Sequence, residues 1–259
     1  MKQRSNGLFQ TLLIIFMIIT LLILQFVDLG IIQDLKDNFL IKNTLIRLIG
    51  GILLMIFLYR LGFSKRFSFR TTKKTWLVIV PALVVSMNNF PVIATLSGQA
   101  ELIDPIYRIL LFFLECLSIG FFEEIIFRAI LLIYLVELLS DKKQGVLIAI
   151  ILSSILFGLM HLLNYFTGST LIDTLMQVGY STLLGMMWAV IYLKTKNIWL
   201  VMILHATYNF FGQVMFYLGE VTHRFDIYTI IITIFFAVIA AIHSFKLYQS
   251  IQVHTLKAF

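Results

Sequence analysis

Residues 123–128 of this 259-residue chain read Glu-Glu-Ile-Ile-Phe-Arg, inside an apolar stretch that runs over 107–139. An acidic side chain near the centre of a bilayer costs about 2.5–3.5 kcal/mol on insertion scales, so such residues usually have a function. Glu124 and Arg128 are four residues apart with the acid N-terminal to the base, the favourable helical pairing. Arg128 can therefore neutralise Glu124 and hold it in place. Glu123 lies about 100° around the helix from its neighbour and has no evident cation. An unpaired carboxylate in low dielectric holds a proton more tightly, which suits a group that accepts one near neutral pH. A single Glu–Arg pair could do no more than lock two helices together. The adjacent second glutamate adds a desolvated charge that packing does not need. Glu115, eight residues before Glu123, shares its general face or sits near the outer headgroups, and is given no role.

Two histidines lie in other apolar stretches with polar or aromatic company. Phe157-Gly-Leu-Met-His161 closes one stretch, and His205-Ala-Thr-Tyr-Asn209 sits inside another. Each pair is spaced i, i+4 and so shares a helix face. A lone histidine on an apolar helix is more often structural than catalytic, but two of them, an asparagine and a spare glutamate shift that balance. His243, near the inner end of the last stretch, and His223 and His254, in aqueous segments, read as ordinary residues. No H-E-x-x-H occurs, so the usual zinc-helix protease signature is absent. No G-x-S-x-G occurs and no aspartate lies within a span, which argues against serine and aspartyl chemistry. Cys116, the one cysteine, excludes a disulfide framework or thiolate cluster, and an apolar setting disfavours its thiolate. A carboxylate, two imidazoles and an amide remain.

The elements that must position these groups are membrane helices. Hydrophobic residues make up 60% of the chain and charged residues 13%, against about 45–50% and about 25% in a soluble domain. A soluble enzyme, a disordered chain and a coiled coil are thereby excluded. Eight apolar stretches, at 8–27, 45–61, 76–96, 107–139, 146–162, 175–193, 198–218 and 227–247, are each of the order of the roughly 20 residues a span requires. The first is kept as an anchor, because its apolar run is long for a signal peptide and no A-x-A site follows. The net charge of +7 reads as the basic bias of cytoplasmic loops, since Lys and Arg concentrate in alternate connections. This predicts an all-α polytopic membrane helix bundle of about eight transmembrane helices with both termini cytoplasmic. The basic, aromatic stretch over 64–74 reads as an inner loop lying on anionic headgroups rather than a nucleic-acid patch, so no nucleic-acid partner is expected.

The three motifs, in this order, resemble those of the CPBP family, the CAAX-protease and bacteriocin-processing proteins also called the Abi family. Its pattern is E-E-x-x-x-R, then F-x-x-x-H, then H-x-x-x-N, each on a separate membrane helix. Here it reads Glu123-Glu124-Ile-Ile-Phe-Arg128, Phe157-Gly-Leu-Met-His161 and His205-Ala-Thr-Tyr-Asn209, with no departure at any motif position. The resemblance covers about 105–218, which divides the chain into N-terminal helices (1–104), a CPBP-like core (105–218) and a C-terminal helix and tail (219–259). It implies an intramembrane endopeptidase acting on a membrane-associated peptide or protein. It also implies an integral protein of a bacterial plasma membrane, with a role in peptide maturation or bacteriocin self-immunity. By that analogy Glu123 activates water with help from His161. His205 and Asn209 stabilise the oxyanion, and Glu124 and Arg128 support them.

Metal dependence stays open: Glu123, His161 and His205 could be three zinc ligands with an open position, whereas a water activated by Glu123 needs no ion. A non-catalytic immunity or scaffold protein is the first alternative function. A proton-coupled transporter built on the same buried ionisable groups is the second, and the inverted repeats that would favour it are not evident. The heights of the histidines also conflict. At 1.5 Å per residue, His205 lies about 10 Å above the inner start of its span and His161 more than about 20 Å above its own. A shared site then requires tilt, a break around Ser118-Ile-Gly120, or different span ends.

Overall fold

The computed structural model describes residues 32–222 and 227–251, together with Ile19, Thr20, Ile23, Gly30 and Leu256. The first expected span, at 8–27, lies outside the described residues except at Ile19, Thr20 and Ile23, as do His223 and His254. In hydrocarbon each backbone polar group must find its partner within the chain, and helices achieve this locally. Each of the other seven apolar stretches accordingly forms helix. Five helices among the described residues are long and apolar enough to cross a membrane. The fold is an all-α polytopic bundle and the chain is an integral membrane protein.

Helix α1 (Leu35–Arg60) is opened by Asp34, whose carboxylate accepts from the amides of Lys36 and Asp37. A 3-10 turn (Ser64–Phe67) leads to α2 (Lys73–Asn88) and the short α3 (Val92–Leu96). The stretch expected at 76–96 is therefore two helices, because Pro91 supplies no amide to continue the ladder. Strand β1 (Ala100–Leu102) pairs antiparallel with β2 (Gly219–Val221), Glu101 opposite Glu220. Helices α4 (Tyr107–Glu124) and α5 (Ile133–Leu138) flank a π-wound segment, Ile125–Leu132. Next come α6 (Gly145–Met160), which ends in a 3-10 turn (His161–Thr167), and α7 (Leu171–Thr195). Helix α8 (Ile198–Tyr217) and the peripheral α9 (Ile227–Gln249) complete the described chain.

Helix α4 packs between α1 and α8, α6 pairs with α7, and α9 leans on α2 and α7. The core runs through the π-wound segment and the second half of α7, where Met187 through Leu193 are all buried. A helix apolar on every side belongs at the centre of a bundle. At one end Arg108 of α4 is ion-paired with Asp34, Asp37 and Asp104, and Lys36 joins Asp104 while donating to the Tyr217 carbonyl. This clasp ties the start of α1, the start of α4 and the end of α8 together.

Two expectations are corrected at this level. The stretch at 107–139 does break, but at Ile125, directly after the glutamate pair, and Ser118 to Gly120 continue α4 without interruption. The 64–74 stretch does not simply lie on headgroups, for Arg66 and Phe67 are buried. Phe67 joins the core, the Trp199 indole N–H donates to its carbonyl at 3.0 Å, and the Phe69 ring stacks on Trp199 at 4.7 Å.

Candidate active site

The site begins with the approach of α4 to α8. A Cβ on Gly120 would lie 2.6 Å from the Met202 carbonyl oxygen and 3.3 Å from the Ala206 amide nitrogen. Only glycine admits backbones this close. One turn further along α4 stand Glu123 and Glu124, and next to Ala206 on α8 stands His205. The close contact therefore brings the two motifs together. On the opposite side Gly158 of α6 has the same function, since a Cβ there would meet the Thr182 hydroxyl and the Val178 carbonyl of α7. That approach seats Phe157.

Glu124 is fully buried, Arg128 is 1% exposed and His205 is 4% exposed. The Glu124 carboxylate holds both. Its Oε1 lies 2.8 Å from Nδ1 of His205, and its Oε2 lies 3.0 Å from Nε of Arg128. The helical pairing read from the sequence is thus present, as an ion pair by distance whose hydrogen-bond angle is poor. Arg128 reaches the Gly185 carbonyl at 3.5 Å and lies over the Phe157 ring at 4.6 Å. Glu123 differs from its neighbour, its side chain being 26% exposed, and its Oε2 stands 3.8 Å from Nε2 of His205. Glu123 is therefore not without a basic neighbour. The imidazole of His205 lies between the two glutamates.

A carboxylate and a carbonyl oxygen can only accept, so the partners of each histidine fix its tautomer. His205 donates from Nδ1 to Glu124. His161, the first residue of the 3-10 turn and half-buried, donates from Nδ1 to the Phe157 carbonyl at 3.1 Å. The Nε2 of each ring is left for other partners. Phe157 joins the two, its ring edge-on to His161 at 5.1 Å and to His205 at 5.7 Å. The imidazole centres are therefore no further apart than the sum of those distances, which resolves the conflict in height. Asn209, half-buried, is one turn beyond His205 on the same helix face.

Glu115 does not belong to this group. It turns to α1, where Arg47 donates to it at 2.9 Å. Cys116 is buried beside it. His243 bonds the Val78 carbonyl at 3.1 Å, a structural contact between α9 and α2. Among the described residues no three His, Cys, Asp or Glu side chains are disposed to hold a metal ion.

Sequence reasoning missed the Glu124–His205 contact, the seating of both imidazoles on Phe157, and Gly120. The F-x-x-x-H spacing put Phe157 on the face of His161 and was the only signal for any of them.

Residues 105–211 match the family model described as type II CAAX prenyl endopeptidase Rce1-like. No curated protein and no solved structure matches the chain. All three motifs fall inside the matched residues, and over that segment the chain is similar to the Rce1-like CAAX prenyl endopeptidases.

Proposed function

We propose that this protein is an intramembrane endopeptidase that hydrolyses a peptide bond of a membrane-associated peptide or protein, with Glu123 activating the attacking water. The observation that carries this reading is the buried run Arg128, Glu124, His205, ending at the partly exposed Glu123. Substrate and water can reach only its last member. In the proposed reaction Glu123 takes a proton from water as the water attacks the scissile carbonyl carbon. The developing oxyanion receives hydrogen bonds from Nε2–H of protonated His205 and from the Asn209 amide. Glu124, facing Nδ1 at 2.8 Å, stabilises the imidazolium, and Arg128 offsets the charge of Glu124. His161 helps hold the water through its Nε2. Glu123 then passes its proton to the leaving nitrogen, and the amine departs. Preorganised donors of this kind contribute on the order of 10²–10³ in turnover each.

No step runs through a metal. The reading extends to peptide maturation or bacteriocin self-immunity in a bacterial plasma membrane, in keeping with the family the motifs resemble. The experiment is cleavage of a farnesylated CAAX peptide by the full chain in lipid nanodiscs, followed by mass spectrometry. The expected result is release of the C-terminal tripeptide by the native protein and none by Glu123→Gln. Equal cleavage by both would overturn the assignment.

A further inference from the structure

The π-wound segment accepts a hydrogen bond from outside its own helix. In an α-helix the amide of Ile133 would bond the carbonyl of Ala129, four residues back. Here the Ile133 amide bonds the Ile130 carbonyl instead. A carbonyl has two lone pairs, so it can take a partner from outside its own helix. That partner comes from a distant loop. Arg66, 3% exposed, donates from Nη1 to the Ala129 oxygen at 2.9 Å.

The guanidinium is itself held in place. It lies over the Phe63 ring at 4.0 Å, and its Nη2 reaches Glu137 of α5 at 3.2 Å. The Tyr192 hydroxyl donates to the Arg66 carbonyl at 3.0 Å and so fixes the turn that carries it. Ala129 adjoins Arg128, the ion-pair partner of Glu124.

We propose that Arg66 is a positioning residue for the Glu123–Glu124–His205 site. By bonding the Ala129 carbonyl it fixes the backbone next to Arg128, and so the side chain that faces Glu124. Without it, the backbone at Ala129 loses its tether to the loop, and Arg128 shifts against Glu124. The assignment of a reaction to this site rests on the peptidase reading, whereas the effect on His205 does not.

The test uses the full chain in nanodiscs, with 15N-labelled histidine and His205→Gln to assign the resonance. In the native protein His205 shows a strongly bonded Nδ1–H, the signature of its contact with Glu124. The expected result is that Arg66→Met removes this signature, while Arg66→Lys and Glu137→Gln keep it. Glu137 is largely exposed, so its loss reports on the ion pair alone. Tyr192→Phe, which only loosens the turn, shifts the resonance in the same direction by less, and stands in for Arg66→Met should that variant not fold. On a farnesylated CAAX peptide, Arg66→Met lowers kcat by about 100-fold, as a misplacement of about 1 Å does, with KM within about twofold and recovery in Arg66→Lys. An unchanged Nδ1–H resonance in folded Arg66→Met, or in Tyr192→Phe if the former does not fold, overturns the proposal whatever the kinetics. If the native protein cleaves no peptide while the resonances change as stated, the peptidase reading fails and the positioning role stands.

Discussion

Glu124 and His205, 81 residues apart in the chain, meet at 2.8 Å inside the bundle with almost no exposure between them. The contact crosses from α4 to α8 and fixes which imidazole nitrogen faces Glu123. An acid that the sequence pairs only with Arg128 thus has a second role, orienting the imidazole beside the partly exposed glutamate.

The two adjacent glutamates should fail differently. Glu123→Gln keeps the shape but cannot accept a proton, so a folded, inserted protein should lose at least about 100-fold in kcat. Glu124→Gln strands Arg128 as an uncompensated buried charge, a loss of about 3–5 kcal/mol in stability, and releases His205 as well. Thermal unfolding and kcat measured on both variants separate the two roles. Full cleavage by Glu123→Gln with none by Glu124→Gln would reverse them.

Gly120→Val should separate α4 from α8, because its Cβ would sit 2.6 Å from the Met202 carbonyl. Overpacking of this kind costs about 1–3 kcal/mol, and the displaced His205 should lower kcat by about 100-fold. Gly179→Ala on α7, whose Cβ meets nothing within 4 Å, should be neutral or stabilise by up to about 1 kcal/mol. Equal melting temperatures for the two variants would contradict the close-approach argument.

The clasp around Arg108 should release in acid. A backbone amide of Asp37 holds the Asp34 carboxyl below its ordinary 3.8, and the hydrogen bond from Lys36 does the same for Asp104. Both groups have lower values folded than unfolded. Their contribution to stability is therefore complete above about 4 and is lost as pH falls through the lower, folded values. Melting temperature should fall below that pH in the native protein and fall less in Asp104→Asn. An equal fall in both would place the acid sensitivity elsewhere.

Activity should survive prolonged chelation, and Asn209→Ala should lower kcat more than it raises KM, since an oxyanion donor acts mainly in the transition state. Stoichiometric zinc by elemental analysis, with activity lost on its removal and restored on its return, would make the histidines ligands.

Much of the bundle was legible because apolar length dictates helices in lipid, and the Glu124–Arg128 pair because it is local, one helical turn apart. What the sequence could not show depends on contacts between distant segments. Arg66 looks like one more cation of a solvated loop, and only the fold buries it against Ala129. Ile-Ile-Phe-Arg-Ala-Ile-Leu-Leu carries no glycine or proline to mark the π winding over 125–132. Arg47 and Glu115, 68 residues apart, find each other only when α1 meets α4. Arg108 and its three aspartates read singly as outer-loop charges, and their convergence is a tertiary fact.

The most direct measurement is a double-mutant cycle on kcat for peptide cleavage with Glu124→Gln, His205→Gln and the double variant. If Glu124 acts by orienting His205, its loss has nothing left to disturb once the imidazole is gone. The double variant should then lie within about threefold of His205→Gln, the strong non-additivity of residues that act as one unit. Independent losses that multiply in the double variant would show that the 2.8 Å contact has no part in turnover, and would contradict the account at its centre.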